Sequence, residues 1–189
     1  MDFSEDIEQC LQVLRHGGMI LYPTDTIWGI GCDATNEEAV KKIFRLKQRP
    51  EKKSMIILLA DPRDVLRYVS QPDPRVFDFL EQTTKPTTVI YEGAINLPDS
   101  LTGEDGTIAI RLVQDPFCRQ LIKRLRKPIV STSANISSEP APAFFDQISE
   151  AIIKGVDYAA QYRRDDRTPR LPSSVVRYRN DGTVEVIRP

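Results

Sequence analysis

Histidine is nearly absent from this chain, because His16 is the only one among its 189 residues. A metal site with two histidines is therefore impossible, and a Ser-His-acid triad could only be built on His16. That residue stands beside Gly17 and Gly18 at the predicted end of a helix, where a capping or dipole role explains it more simply. Zinc-dependent and triad-based hydrolysis are therefore not expected.

Cysteine is scarce as well. Cys10, Cys32 and Cys118 are odd in number, lie far apart and lack the CxxC spacing of a zinc site. This pattern predicts neither a disulfide framework nor a structural metal, and it is typical of a protein of the reducing cytoplasm. Only oxygen donors remain as metal ligands, and these suit Mg²⁺.

Long apolar runs and a strong net charge are missing too. No segment approaches the roughly 18 uninterrupted apolar residues of a membrane span, and the acidic N-terminus does not resemble a signal peptide. The net charge of -1 means that the chain is not basic overall, so any RNA binding would depend on a local patch. A length of 189 residues and a hydrophobic share of 40% predict one compact domain over residues 1–189.

Helical periodicity and capping residues predict helices at several points along the chain. Residues 4–15 carry acids in the first turn, one apolar face and a glycine stop. A capping-box pattern at residues 35–38 begins a second helix that ends at Lys47. Asp-Pro pairs at positions 61, 73 and 115 predict three further starts, the last helix running to about residue 125, and another helix is expected near 148–153.

Short apolar runs predict strands between these helices. They occupy residues 19–22, 55–60, 87–91, 107–112 and 128–131. Two further strands, 174–178 and 183–187, flank an Asp-Gly pair that indicates a hairpin. The alternation of strands and helices predicts an α/β fold with a mixed sheet.

Two short segments indicate a pocket for a phosphorylated, polar ligand. Residues 131–135, Ser-Thr-Ser-Ala-Asn, follow an apolar run and offer small hydroxyl and amide groups at a strand end. Lys47 and Arg49 place two cations at an exposed helix end, and Lys53 follows them. Each segment alone has a simpler explanation, since the first suits a turn or N-cap and the second complements the helix dipole. Together they predict a nucleotide site in which cations meet phosphate charge.

Arg111 is the one charged residue in the predicted strand 107–112. Alternation places Thr107, Ala109 and Arg111 on the same face of that strand. A buried arginine needs a carboxylate partner, either Asp25 or Asp33 of the protein or the carboxylate of a ligand. The ligand is the favoured interpretation, because a planar guanidinium binds a carboxylate through two hydrogen bonds and an amino acid would supply one.

A third stretch, with the pattern PTDTxWGxGxDAT, covers residues 23–35. It is followed by KxRP at 47–50, TIAIRL at 107–112 and STSAN at 131–135, and this order resembles the threonylcarbamoyl-adenylate synthase (YrdC-like) family. The resemblance extends from about residue 17 to 189. It implies a single-domain YrdC-like fold, in which a twisted mixed β-sheet is flanked by helices and encloses a central concave basic cleft.

The resemblance also implies an activity. Members of this family join L-threonine, bicarbonate or CO2 and ATP into threonylcarbamoyl-AMP and release pyrophosphate, which makes them nucleotidyltransferases. Mg²⁺ is expected to enter with ATP, and no protein nucleophile is required. The product feeds the modification of the adenosine next to the anticodon in tRNAs, so the expected partners are the tRNA-modification proteins that use it.

Roles for individual residues follow from the same resemblance, by position in the motifs. The residues expected to hold threonine are Thr26, Arg111, Ser133 and Ser173. Those expected around ATP are Arg49, Lys53, Thr107, Asn135 and Arg188. Lys47 and Arg49, as the KxR signature, are expected to be catalytic.

This chain departs from the family pattern at several points. Trp28 stands where many members have tyrosine, and Leu58 stands where some place a histidine near threonine. Residues 85–88, Lys-Pro-Thr-Thr, lack the usual WPGP-like run. Longer relatives carry a second domain that closes over the ligand, and the charged, proline-rich residues 161–172 are the expected replacement, although a solvated surface connection explains them equally well.

Two rival functions remain open. A carbamoyl-adenylate-handling paralogue without threonine activity would share the fold, but such proteins are much longer and carry zinc-finger cysteines that this sequence lacks. The intact Ser133-Ala134-Asn135 element argues against a further paralogous group of uncertain function. An RNA-binding module is the other, and weak RNA binding fits a local basic concavity although the net charge does not favour it. An RNA binder should lose affinity steeply with added salt, whereas the enzyme should release pyrophosphate only when all three substrates are present.

Overall fold

The computed structural model describes residues 2–50, 55–179 and 181–189. Its α-helices are α1 (Ser4–Arg15), α2 (Glu37–Lys47), α3 (Arg75–Glu81), α4 (Pro116–Leu125) and α5 (Glu150–Gly155). Its β-strands are β1 (Ile20–Tyr22), β2 (Gly29–Gly31), β3 (Ile56–Leu59), β4 (Thr87–Tyr91), β5 (Ile108–Leu112), β6 (Ile129–Ser133), β7 (Tyr158–Ala159), β8 (Ser174–Tyr178) and β9 (Val184–Arg188). Short 3₁₀-helices cover Pro62–Arg67, Asp99–Leu101 and Phe145–Gln147.

These strands form one twisted, unclosed sheet in the order β7-β1-β2-β6-β3-β5-β4-β8-β9. The pairs β1–β7, β3–β5 and β4–β8 are parallel. The other neighbouring pairs are antiparallel. The predicted α/β class, with a mixed sheet flanked by helices, is confirmed.

Helices α1 and α4 begin and end where the sequence predicts. Helix α1 has the predicted bounds, and the His16 ring lies 2.7 Å from the Gln12 carbonyl oxygen at its C-cap. Helix α4 starts at Pro116 because the Asp115 side chain accepts from the N–H of Cys118 at 3.0 Å. The capping-box pattern predicts Thr35 as the N-cap of α2, but Asn36 is the N-cap. Its side chain accepts from an N–H of the first turn, so the helix begins one residue later than predicted.

Other boundaries differ from the prediction. Strand β2 was not predicted, because Gly29-Ile30-Gly31 reads as a loop from sequence. Gly31 is needed there, since a Cβ at this position would lie 2.4 Å from the Val130 carbonyl oxygen of the neighbouring strand β6. Asp61 caps a 3₁₀-helix instead of an α-helix. Helix α5 begins two residues after the predicted 148, and the two-residue strand β7 was missed.

The three cysteines are free and buried. None of the helices in the described part of the chain has the length and apolar character that a membrane crossing requires.

Candidate active site

A cavity of about 360 Å³ lies over the central strands of the sheet. Ile56 pairs with both Ala109 and Ser131, and Ala109 pairs with Ile90. All four residues line the cavity, and residues directly opposite each other project from the same face of a sheet. The cavity therefore rests on one face of β6, β3, β5 and β4.

The structure brings most of the expected site residues to this cavity. Those that line it are Thr26, Arg49, Arg111, Ser133, Ser173 and Arg188. Lys47, Thr107 and Asn135 are not among the lining residues. Lys53 lies outside the described residues.

Lys47 is buried, with only 1% of its surface exposed. Its Nζ donates to the carbonyl oxygens of Ser133 and Asn135, each 2.5 Å away. Burial, and secondarily the charge of Arg49, lower the pKa of Lys47 to about 8. The expectation of an exposed cation at this helix end is therefore wrong for Lys47, and its direct catalytic role stays a prediction.

Arg49 reaches the cavity because the chain turns sharply after α2. Gln48, the C-cap residue, has a left-handed backbone with φ of 49°, and the N–H of Arg49 donates to the Phe44 carbonyl at 2.9 Å. Burial lowers the pKa of the Arg49 guanidinium below its usual value. A guanidinium still keeps its charge at neutral pH, so Arg49 is a permanent cation in the cavity wall.

Strand β6 carries small hydroxyl groups to the cavity, and Ser133 is the last of them. Asn135, two residues further, uses its side chain within its own turn. Its Nδ2 donates to the carbonyl oxygens of Ile136 at 3.0 Å and Glu139 at 2.7 Å. The Asn135 amide therefore shapes the loop after β6, and its contact with ATP stays a prediction.

Arg111 lines the cavity from β5 and is 3% exposed. Its Nη2 lies 3.1 Å from Oδ1 of Asp25, within ion-pair distance. The contact is an ion pair and not a hydrogen bond. Three of the atoms concerned have no hydrogen-bond partner among the described residues: Arg111 Nε, Arg111 Nη2 and Asp25 Oδ1. Asp33, the other possible partner, lies 2.6 Å from Lys127. Asp25 thus supplies charge to the guanidinium without satisfying the N–H donors of Nε and Nη2.

The hydroxyl groups of Thr26 and Ser173 are fixed by neighbouring hydroxyls. Thr24 Oγ1 donates to the Ile27 carbonyl at 2.8 Å, and it lies 2.9 Å from Thr26 Oγ1. Since a hydroxyl has one proton, Thr26 donates in the second contact and keeps lone pairs for a ligand. Ser173 Oγ lies 2.7 Å from Thr88 Oγ1, and either hydroxyl can be the donor in this contact.

Arg188 and Thr107 have different positions relative to the cavity. Arg188 donates through Nε and Nη2 to the Ser173 carbonyl at 3.1 and 2.8 Å. Burial, and after it the charge of Arg111, lower the pKa of Arg188 below its usual value. Thr107 instead donates its hydroxyl to Asp105 Oδ1 at 2.7 Å, so an ATP contact for Thr107 stays a prediction.

An aromatic and apolar wall completes the cavity. Trp28 lines it and packs against Phe145, with ring centroids 4.9 Å apart. Leu58 is fully buried and is not a lining residue. Apolar residues such as Met55 and Ile90 line the cavity but were not predicted, because their position depends on strand register, which no local sequence pattern reveals.

Residues 161–172 are anchored to the body of the protein through two arginines, Arg163 and Arg167. Arg163 forms an ion pair with Asp115 at 2.8 Å and donates to the Thr24 carbonyl oxygen. Arg167 pairs with Asp146 at 2.7 Å. Of this segment Pro172 lines the cavity. Closure of the segment over a ligand stays a prediction.

Among the described residues, none that lines the cavity is a cysteine or a histidine. Burial raises the pKa of the Cys32 and Cys118 thiols, which keeps both protonated. In the described ranges there is no group of three or more His, Cys, Asp or Glu side chains that could hold a metal ion. The chemistry that the lining residues support is charge stabilisation and positioning by arginines and hydroxyls.

Comparison with known proteins places this geometry in a family. Residues 12–189 match the model of the Sua5/YciO/YrdC family, described as "Telomere recombination". The chain is similar to a threonylcarbamoyl-AMP synthase of Stenotrophomonas maltophilia, with 34% identity over 80% of this chain and 83% of the relative. It is 35% identical to a threonylcarbamoyl-AMP synthase of Stutzerimonas stutzeri, over 97% of this chain and 96% of the relative.

A solved structure agrees with the fold. A variant of P. abyssi Sua5 superposes with a TM-score of 0.87 at 24% identity. The match covers 98% of this chain and 56% of the longer P. abyssi chain.

Proposed function

The chain belongs to the Sua5/YciO/YrdC family, and on that premise we propose that it is a threonylcarbamoyl-AMP synthase. It joins L-threonine, bicarbonate or CO2 and ATP into threonylcarbamoyl-AMP and pyrophosphate. The two relatives with 34% and 35% identity carry this name. The observation that carries the proposal is the convergence of Arg49, Arg111 and Arg188 with small hydroxyl groups on one cavity.

The cavity volume of about 360 Å³ is that of a small-molecule site. Its cations are arginines, which bind carboxylate and phosphate groups through paired N–H donors. This donor set suits an amino acid together with a nucleotide, and it does not suit an apolar ligand.

Arg111 is the group proposed to bind the threonine carboxylate. It is buried, and two of its nitrogens lack hydrogen bonds to protein groups although Asp25 lies nearby. Buried donors of this kind are costly, so a ligand carboxylate that accepts from them gains affinity. The hydroxyls of Thr26, Ser133 and Ser173 line the same cavity and can bind the remaining polar groups of threonine.

Arg49 and Arg188 are proposed to meet the phosphates of ATP. Arg49 lies just beyond α2 and Arg188 near the end of β9, and both line the cavity. Their permanent charges stabilise the negative charge that develops on the pyrophosphate leaving group. Contributions of Lys53, Thr107 and Asn135 to ATP binding belong to the same proposal.

The reaction is proposed to run as a nucleotidyl transfer. The amine of threonine adds to CO2 and loses a proton, which gives a carbamate. A carbamate oxygen then attacks the α-phosphorus in line, the bond to the β-phosphate oxygen breaks, and pyrophosphate leaves. Because the nucleophile belongs to the substrate, the protein contributes positioning and charge stabilisation.

Mg²⁺ is proposed to enter bound to ATP. The lining residues offer hydroxyl and carbonyl oxygens and no carboxylate cluster, which fits an ion that takes most of its ligands from phosphates and water. When bound, it neutralises charge on the leaving pyrophosphate. The downstream partners would be proteins that transfer the threonylcarbamoyl group to tRNA in the cytoplasm; RNA binding by this chain stays a prediction.

Pyrophosphate release tests the proposal. The purified chain is incubated with ATP, Mg²⁺, L-threonine and bicarbonate, and each component is omitted in turn. We expect release only in the complete mixture. Release that does not depend on threonine would overturn the proposed function in favour of ATP hydrolysis or of a paralogue without threonine activity.

A further inference from the structure

Lys47 belongs to the KxR motif, yet its ammonium is directed to the protein backbone. Nζ donates to the carbonyl oxygens of Ser133 and Asn135, and it lies 3.4 Å from the Asn135 side-chain oxygen. The residue is 1% exposed and is not among those that line the cavity. A lysine has three N–H donors, and these three oxygens account for all of them.

The backbone at the end of β6 explains why a cation is needed there. The N–H of Asn135 donates to the Ser133 carbonyl at 2.9 Å, so the chain turns tightly around Ala134. The turn brings two carbonyl dipoles toward one point, where they repel each other unless a donor with positive charge lies between them. The Lys47 ammonium is that donor.

The same turn holds two parts of the cavity wall. Ser133 lines the cavity and pairs with Gly29 of β2. The N–H of Ala134 donates to the Trp28 carbonyl at 3.2 Å. A change in this turn would therefore displace both the Ser133 hydroxyl and the Trp28 wall.

We infer that Lys47 is a positioning residue: it fixes the turn after β6 so that Ser133 and Trp28 keep their places in the cavity, and it does not contact the substrates. The inference rests on the proposed function and deepens it, because it separates the two cations of the KxR motif. Arg49 contacts the ligand, whereas Lys47 binds the backbone at the end of β6 and holds it in place.

Ligand binding distinguishes this role from a direct contact with phosphate. Lys47→Met keeps the approximate shape of the side chain and removes its charge and donors. We expect turnover to fall about 10²-fold, the effect of a displacement of about 1 Å. The ratio of the ATP and AMP dissociation constants, measured by calorimetry, should keep its wild-type value. If ATP lost more than about tenfold in affinity relative to AMP, a phosphate contact would be the correct role, because ATP carries the additional phosphate charge.

Amide hydrogen exchange tests the inference without any substrate. The Ala134 amide should exchange faster in Lys47→Met than in the wild type, since the turn that directs this amide to the Trp28 carbonyl is no longer held in place. Unchanged exchange would overturn the inference. Because no substrate is present, this result stands even if the wild-type chain releases no pyrophosphate, so the inference and the proposed function can fail separately.

Lys42 provides a matched control on the same helix. Its Nζ donates to the Gly17 carbonyl at 2.8 Å, outside the cavity. Lys42→Met should leave turnover and Ala134 exchange unchanged. If Lys47→Met does not fold, both measurements are made on Lys47→Gln, which retains an N–H donor for the carbonyls and carries no charge to attract phosphate.

Discussion

Arg111→Lys separates recognition of the threonine carboxylate from a purely structural ion pair. Lysine keeps a positive charge near Asp25, which lies 3.1 Å from the guanidinium. It removes the planar, paired N–H donors with which arginine binds a carboxylate. The loss of one charge-assisted hydrogen bond costs about 1.5–3 kcal/mol. Since 1.4 kcal/mol corresponds to a factor of ten, the dissociation constant of threonine should rise about 10- to 150-fold.

Isothermal titration calorimetry with threonine and with ATP, each alone, measures the effect. We expect the affinity for ATP to change by less than about twofold, because the proposed phosphate contacts are made by other arginines. An equal loss for both ligands would contradict carboxylate recognition and would favour a structural pair between Arg111 and Asp25.

Asp25→Asn is the complementary variant. It removes the protein carboxylate and leaves the guanidinium without its charge partner, which should lower the free energy of unfolding by about 3–5 kcal/mol. Threonine binding should persist, because the substrate carboxylate then becomes the partner of Arg111. If the threonine affinity of Asp25→Asn fell as far as that of Arg111→Lys, Asp25 and not the paired N–H donors of Arg111 would organise this part of the site.

Three further predictions concern the phosphate side, the hydroxyl groups and the buried lysine. Arg49→Ala should abolish pyrophosphate release, while Arg45→Ala on the exposed face of α2 should not; near-normal turnover of the first variant would remove Arg49 from the mechanism. Pyrophosphate release should follow the order threonine, serine, valine, with serine disfavoured by about 1–3 kcal/mol, and valine turning over as well as serine would mean that the cavity reads shape and not the hydroxyl. The folded chain releases the Lys47 proton near pH 8, whereas the unfolded chain holds it to about pH 10.4, so between these values the unfolded state binds more protons. The free energy of unfolding of the wild type, relative to Lys47→Met, should therefore rise by up to about 3 kcal/mol over that interval in denaturant titrations, and a flat difference would refute the lowered pKa.

The parts of the fold that local chemistry specifies could be predicted from the sequence. Helix α4 begins at an Asp-Pro pair whose carboxylate caps the first turn, and the hairpin of β8 and β9 flanks an Asp-Gly turn. Strand β2 could not be predicted, because the close contact that requires Gly31 is made with β6, about 100 residues away in sequence. Contacts of that range leave no local periodicity.

The candidate site shows the same limit. The motifs identify Arg49, Arg111 and Ser133, and the structure gathers all three at one cavity. The position of Lys47 at a helix end did not reveal that β6, 86 residues further along the chain, covers it. Alternation along β5 predicted the inward face of Arg111, but the incomplete hydrogen bonding to Asp25 depends on side-chain angles that only the tertiary structure defines.

The central claim is that one cavity joins three substrates into a single adenylate. The most direct measurement is incubation of the chain with ATP, Mg²⁺, L-threonine and ¹³C-labelled bicarbonate, followed by rapid quenching and mass spectrometry. We predict a product that contains threonine, one labelled carbon and AMP, formed in equal amount to pyrophosphate. Pyrophosphate accompanied only by unlabelled AMP, or no conversion of ATP at all, would contradict the account.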